Sequence, residues 1–226
     1  MVAINKPVGP TSHDVVNQVR RVTSEKRVGH AGTLDPLASG VLVIGIGKAT
    51  KQLGQSDWHD KEYRATIKLG ETSTTDDEEG EKTKIKIDLP PTETEVKRVC
   101  SRFMGLIEQV PPDYSAIKIN GKAAYAYARA GKAIDLQARS VRIDQLEMVE
   151  YRWPFLKIKI KTGPGVYIRS LARDIGRVLK TGGYLTALER TRVGRFTLDQ
   201  ALTIEQLEEK FLKLKKVRDE ESGLRP

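Results

Sequence analysis

Cysteine and histidine are scarce in this 226-residue chain, and long apolar runs are missing. A single cysteine, Cys100, excludes a disulfide framework and a cysteine-based zinc site. The three histidines, His13, His30 and His59, stand too far apart for a metal-ligand spacing. The longest apolar stretch, Val41–Ile46, is far too short to span a bilayer. The opening MVAINKPVGPTSHDVV has no apolar segment behind a basic flank, so no signal peptide is expected and the default compartment is the cytoplasm. Residues 45–50 (GIGKAT) imitate a phosphate-binding loop. Leu42 stands where a Walker A motif needs its first glycine, and Ala49 follows the lysine, so that chemistry is excluded. No internal repeat is visible.

What is abundant is charge. Apolar residues make up 38% and charged residues 31%, as in a soluble globular domain able to bury a core. Lys and Arg number 39 against 30 Asp and Glu, a net charge of +9. Residues 71–81 hold six acids and no base, so basic charge is concentrated elsewhere: six bases to one acid in 118–142, and eleven to two in 152–195. Such bias suits a polyanionic partner through phosphate neutralisation, although a solvated basic face gives the same composition.

The pattern predicts an α+β fold with a mixed, largely antiparallel sheet. A first helix opens at Ser12 as N-cap with Val15, Val16, Val19 and Val22 behind it. The glycine-rich GHAGTLDPLASG of 29–40 leads into a buried strand. Residues 61–69 alternate, with Tyr63, Ala65, Ile67 and Leu69 on one face. The acidic 71–81 segment reads as a loop or hairpin tip. Thr92 and Glu95 form a capping box for a helix bearing Val96, Val99, Phe103 and Met104 and stopping at Gly105. After Pro111-Pro112 comes a basic insertion, about 111–142, with a turn at Asn120-Gly121 and an Ala-rich helix. Two strands follow, then a helix with Ile168, Leu171, Ile175 and Val178 inward. A last helix, capped by Thr203 and Gln206, carries Ile204, Leu207, Phe211 and Leu214 and ends in a polar, frayed tail. The expected division is a catalytic domain over 1–202 and a C-terminal helix and tail over 203–226.

Asp35 carries the most chemical interest, lying before Pro36 and among Gly29, Gly32 and Gly40, where backbone can approach a ligand. Asp before Pro is also ordinary turn chemistry. His30 shares that loop. Arg169, Arg173 and Arg177 form a stripe on one helix, which a solvated basic face also explains. Tyr63 reads equally as a core tyrosine, and Cys100 as an inert core thiol.

GHAGTLDPLASGVL resembles the active-site loop of the TruB family, the tRNA pseudouridine-55 synthases. In the same order, INKPVGPTSHDVV, KEYRATIKLG, the Asp77-x-x-Gly80 turn, PPDYSAIKINGKAAYAYARAG, GVYIRSLARDIG and GGYLTALERTRVGRF resemble further motifs of that family, over roughly residues 1–200. The resemblance implies a pseudouridine-synthase-like sheet flanked by helices, with a basic thumb insertion. It implies conversion of uridine to pseudouridine in the T-loop, with Asp35 as nucleophile, Arg169 as its counter-charge and Tyr63 stacking on the base and taking the C5 proton. Asp77 would hold Arg169, Tyr167 and Leu188 would line the pocket, and His30 would fill the place of the flipped base. Lys6, of the opening Lys-Pro motif, and Lys118, near the thumb's base, would bind the RNA substrate. No metal or organic cofactor, no membrane and no protein partner is implied; the partner is the tRNA T-arm stem-loop and monomer is the default. Family members usually continue into an RNA-binding or PUA domain, whereas only 203–226 follow the core here. A non-catalytic RNA-binding or tRNA-folding protein on the same scaffold, or a synthase for another RNA, are the alternatives.

Overall fold

The computed structural model describes residues 1–54, 60–115, 117–119, 121–132 and 135–223. His59, Asn120 and the last three residues of the expected tail lie outside that set. The chain forms two compact units, 1–61 with 189–226, and 62–188.

The first unit begins with β1 (Val2–Lys6), α1 (Ser12–Thr23), β2 (Val28–Ala31) and β3 (Ala38–Ile46). β1 and β2 both run antiparallel to β3, Val2 opposite Ile44 and Val28 opposite Ile46. Valines at helical spacing turn one face of α1 inward, so Val15, Val16 and Val19 pack on Ile4, Val28, Leu42 and Ile44. The N-cap of α1 is Thr11, not Ser12. Thr11 and Asp14 complete a reciprocal capping box, while Ser12 is buried and turned to another use described below.

The second unit contains β4 (Lys61–Leu69), β5 (Glu71–Ser73), β6 (Lys82–Lys84), α2 (Glu93–Ser101), β7 (Gly105–Gln109), β8 (Lys118–Ile119), β9 (Lys122–Ala123), α3 (Ala124–Arg129), β10 (Arg139–Arg152), β11 (Phe155–Thr162), α4 (Ile168–Val178) and the first half of β12 (Gly183–Val193). Its strands lie in the order β12-β4-β11-β10-β7. The alternation in β4 buries Tyr63, Ala65, Ile67 and Leu69, and β5–β6 is a hairpin whose tip is the acidic segment. α2 packs against β10 and α4. It ends at Ser101, three residues earlier than its periodicity suggests. Phe103 and Met104 fall in the turn before Gly105, whose backbone is left-handed. On α4, Ile168, Leu171 and Ile175 are buried but Val178 is exposed, because the helix leaves the core in its last turn. The basic insertion is a two-residue hairpin, β8–β9, followed by the six-residue α3. It closes at 138, since β10 pairs with β7 from Arg139 onward.

Back in the first unit, the second half of β12 lies beside β3, and β13 (Phe196–Thr197) folds back on it. α5 (Ile204–Gly223) starts at the Thr203–Gln206 capping box and packs Leu207 on α1. Leu214, expected on the same stripe, is exposed together with Leu212 and Val217, and the helix runs on where a frayed tail was expected. Among the described residues no helix is long and apolar enough to cross a membrane.

Candidate functional site

In the first unit the backbone on both sides of Asp35 is fixed from three directions. From α1, Ser12 Oγ donates to the Leu34 carbonyl at 2.9 Å and accepts from the Leu34 N–H at 2.8 Å. From β12, Arg190 donates to the carbonyls of Gly32 (3.1 Å), Thr33 (3.3 Å) and Val41 (2.8 Å). From the segment after β1, the Gly9 N–H donates to the Pro36 carbonyl at 2.9 Å. Lys6 Nζ donates to the carbonyls of Pro7 (2.9 Å), Pro10 (2.8 Å) and Pro36 (3.5 Å). The Ala38 N–H donates to the Asp35 carbonyl at 3.1 Å, closing the Asp-Pro turn. A Cβ on Gly40, at φ +103°, would strike the backbone of Arg190, so only glycine lets β3 and β12 approach here.

This loop gathers unusual charge. Lys6 is 0% exposed and Arg190 1% exposed. Burial pushes the Lys6 ammonium down to about 8, the Asp35 charge pulling it up and Arg190 adding to the depression. Burial, reinforced by Arg190 and opposed by Asp60, likewise brings Lys61 to about 8. Burial first, then Arg190, hold the His30 imidazole below its ordinary range, against a bond with the Gly32 backbone. Its Nδ1 is buried without a hydrogen-bond partner. Lys6 therefore sits inside the protein, braced against loop carbonyls, and Asp35 itself is half-buried.

In the second unit Arg169 is 5% exposed and Asp77 4%. Arg169 Nη2 donates to the Tyr114 carbonyl at 2.9 Å and Nη1 to the Thr75 carbonyl at 3.4 Å, while Nε lies 3.6 Å from Asp77. Asp77 Oδ1 accepts from the Thr75 hydroxyl and, at 3.0 Å, from the Glu79 N–H. Asp77 of the acidic hairpin tip is thus a holder for Arg169. Arg173, on the same helix, is drawn in as well: it pairs with Asp76 at 2.8 Å and Asp174 at 3.1 Å. Only Arg177 keeps the solvated position expected for the stripe. Tyr63 and Leu188 are buried on β4 and β12, Tyr167 is half-buried at the N-cap of α4, and Lys118 is exposed on β8.

The resemblance pairs Arg169 with both Asp35 and Asp77; within the second unit Asp77 lies beside it. The sequence pattern gives Ser12 to the helix cap and Arg173 to a solvated stripe, and it singles out neither Arg190 nor the buried Gln109. Arg190 left one signal: it lies in phase with Leu188, on an inward-facing period of two.

Comparison with known proteins extends these observations. Residues 20–168 match the family described as TruB family pseudouridylate synthase (N terminal domain), and residues 169–226 the tRNA pseudouridylate synthase B C-terminal domain. The chain is 46% identical over 219 residues to tRNA pseudouridine synthase B of Thermobifida fusca, covering 93% of this chain and 75% of that protein. It is 48% identical over 217 residues to the Mycobacterium tuberculosis H37Rv protein of the same name, covering 93% and 72%. Among solved structures it resembles a chain of a Cbf5-Nop10-Gar1 complex, at 29% identity and a TM-score of 0.74, covering 99% of this chain and 56% of that one. It also resembles a chain of an H/ACA RNP bound to a substrate RNA containing 2′-deoxyuridine, at 27% identity and a TM-score of 0.70, covering 99% and 55%. The chain therefore spans just over half the length of those two structural neighbours.

Proposed function

The chain belongs to the TruB family of pseudouridylate synthases and isomerises uridine to pseudouridine in tRNA, and from that premise we propose that it acts on the T-loop, at position 55, with Asp35 as nucleophile. The reaction breaks the N1–C1′ glycosidic bond, turns the base and rejoins it through C5; N1 gains a proton and C5 loses one. A carboxylate suits this work because it can add to C6 of the base or to C1′ of the ribose and later leave, dividing one hard step into two. The observation that carries the assignment is the fixed backbone around Asp35: Ser12, Arg190, Lys6 and Gly9 hold residues 32–36, so the nucleophile is aimed before substrate arrives. Lys6 acts through this loop rather than by touching RNA.

Arg169 supplies the counter-charge in this scheme, and the Asp77 ion pair with the Thr75 and Tyr114 carbonyls sets its guanidinium. Tyr63 stacks on the base and accepts the C5 proton; Tyr167 and Leu188 line the pocket. The target base is reached only after flipping out of the folded T-loop. A neutral imidazole suits His30 for the vacated stacking place. The exposed Lys118, Lys122 and Lys132 grip T-arm phosphates, which amounts to recognition by shape. The protein acts as a monomer in the cytoplasm, where its tRNA substrate is found, and it needs no protein partner for these roles.

The test is incubation with an isolated T-arm stem-loop carrying uridine at the expected position, followed by pseudouridine mapping. Conversion at that one uridine is expected. Absence of conversion in both the stem-loop and full-length tRNA overturns the reading.

A further inference from the structure

In the second unit the end of β7 is tied to the first turns of α4 by side chains that the scheme above does not use. Gln109 is 1% exposed, and its amide lies across the backbone of one residue, Tyr167. Its Oε1 accepts from the Tyr167 N–H at 2.9 Å, and its Nε2 donates to the Tyr167 carbonyl at 3.2 Å. One side chain thus does for Tyr167 what a neighbouring strand would do. Tyr167 is the N-cap of α4 and makes no side-chain cap bond of its own. The residue after β7 continues the tie: the Val110 carbonyl accepts from Ser170 Oγ at 2.9 Å and from Arg173 Nη2 at 2.8 Å.

These bonds bracket Arg169 between Tyr167 and Arg173. Beyond Pro111-Pro112 the same segment reaches Tyr114, whose carbonyl accepts from Arg169 itself at 2.9 Å, and from there it enters the basic insertion. The root of the insertion and the turn that carries Arg169 are therefore one hydrogen-bonded node, and Gln109 is its buried centre. A buried amide used only for packing would be replaced by an apolar side chain at little cost; here both of its polar atoms serve a single backbone position.

We propose that Gln109 is a positioning residue for the pseudouridylation: it holds Tyr167 and the Arg169 turn against the root of the RNA-gripping insertion. RNA held by the insertion and the Tyr167 and Arg169 side chains then share one reference. The inference rests on the proposed function.

Gln109→Met keeps the volume and removes both bonds; Gln109→Glu keeps the acceptor for the Tyr167 N–H and loses the donor. Each is measured with the T-arm stem-loop for its dissociation constant and for its single-turnover rate at saturating RNA, and by hydrogen exchange at the Tyr167 amide. Val96→Ala, on the buried face of α2, serves as a destabilised control outside the node. In Gln109→Met the affinity should stay within about twofold while the single-turnover rate falls by roughly 10- to 100-fold, the scale of an ångström-level misplacement. Exchange at Tyr167 should accelerate, Gln109→Glu should fall between the two, and Val96→Ala should keep its rate. Should Gln109→Met fail to fold, Gln109→Glu carries the same comparison. A rate within about twofold of wild type, a loss wholly in affinity, or an equal loss in Val96→Ala overturns the inference. If wild type converts uridine and Gln109→Met is as fast, this inference alone fails. If wild type converts none, the proposed function fails and takes this inference with it.

Discussion

Ser12→Ala separates two roles that the sequence leaves together at the start of α1. As an N-cap, Ser12 would cost about 1 kcal/mol to remove. The structure gives the cap to Thr11 and places the Ser12 hydroxyl on both peptide groups of Leu34, at 2.9 and 2.8 Å, out of reach of water. Alanine leaves a buried N–H and a buried carbonyl without partners. At roughly 1–3 kcal/mol for each of the two orphaned groups, the loss is about 2–6 kcal/mol. For a chain of this size, at about 2–4 °C per kcal/mol, that lowers Tm by roughly 4–24 °C. Leu34 precedes Asp35, so loosening it should also slow the single-turnover rate by about tenfold with little change in RNA affinity. Thr11→Ala, by contrast, should cost roughly 2–4 °C and leave the rate alone. Thermal unfolding and single-turnover conversion of the two variants side by side decide the matter. If Ser12→Ala is no worse than Thr11→Ala in both measurements, the loop-clip argument is wrong.

Gly40→Ala should destabilise by at least about 2 kcal/mol, read as a fall in Tm, because its φ is positive and its Cβ meets the Arg190 backbone. Replacing Lys118, Lys122 and Lys132 by Gln should weaken T-arm binding and lower the slope of log K against log salt by up to about 2–3, with the rate at saturation retained; an unchanged slope refutes the phosphate grip. Burial pushes the Asp76 carboxyl up to about 6, with Arg173 pulling the other way. A raised carboxyl pKa contributes stability that is fully present below about pH 4 and is lost as pH rises through about 6. Asp76→Asn removes that slope, so the stability of the variant relative to wild type should rise between pH 4 and 7 by up to roughly 3 kcal/mol, measured as denaturation midpoints across the range.

Local rules wrote much of this architecture into the sequence. The alternation of 61–69, the capping boxes at Thr92–Glu95 and Thr203–Gln206 and the valine face of α1 depend on neighbours within a few residues, and each appears where the pattern puts it. What the pattern did not carry depends on distant partners. Thr11 and Ser12 are equal as caps until Leu34, 22 residues away, claims one of them. Arg190 looks like surface charge until the carbonyls of Gly32, Thr33 and Val41 are seen around it. The apolar period of α2 continues through Phe103 and Met104, but the chain must turn to enter β7. The same holds for the site: glycines and an Asp-Pro pair mark the loop, whereas the donors that stiffen it lie on α1, on β12, at the end of β1 and in the segment after it.

The central claim is that Asp35 forms the bond that lets uridine leave and return, and Asp35→Asn tests it most directly. The amide preserves size and the loop's backbone bonds but is a poor nucleophile. In a single-turnover assay with T-arm RNA at saturation, the account predicts unchanged melting and RNA affinity with no detectable pseudouridine. Substantial pseudouridine from Asp35→Asn under those conditions would contradict it.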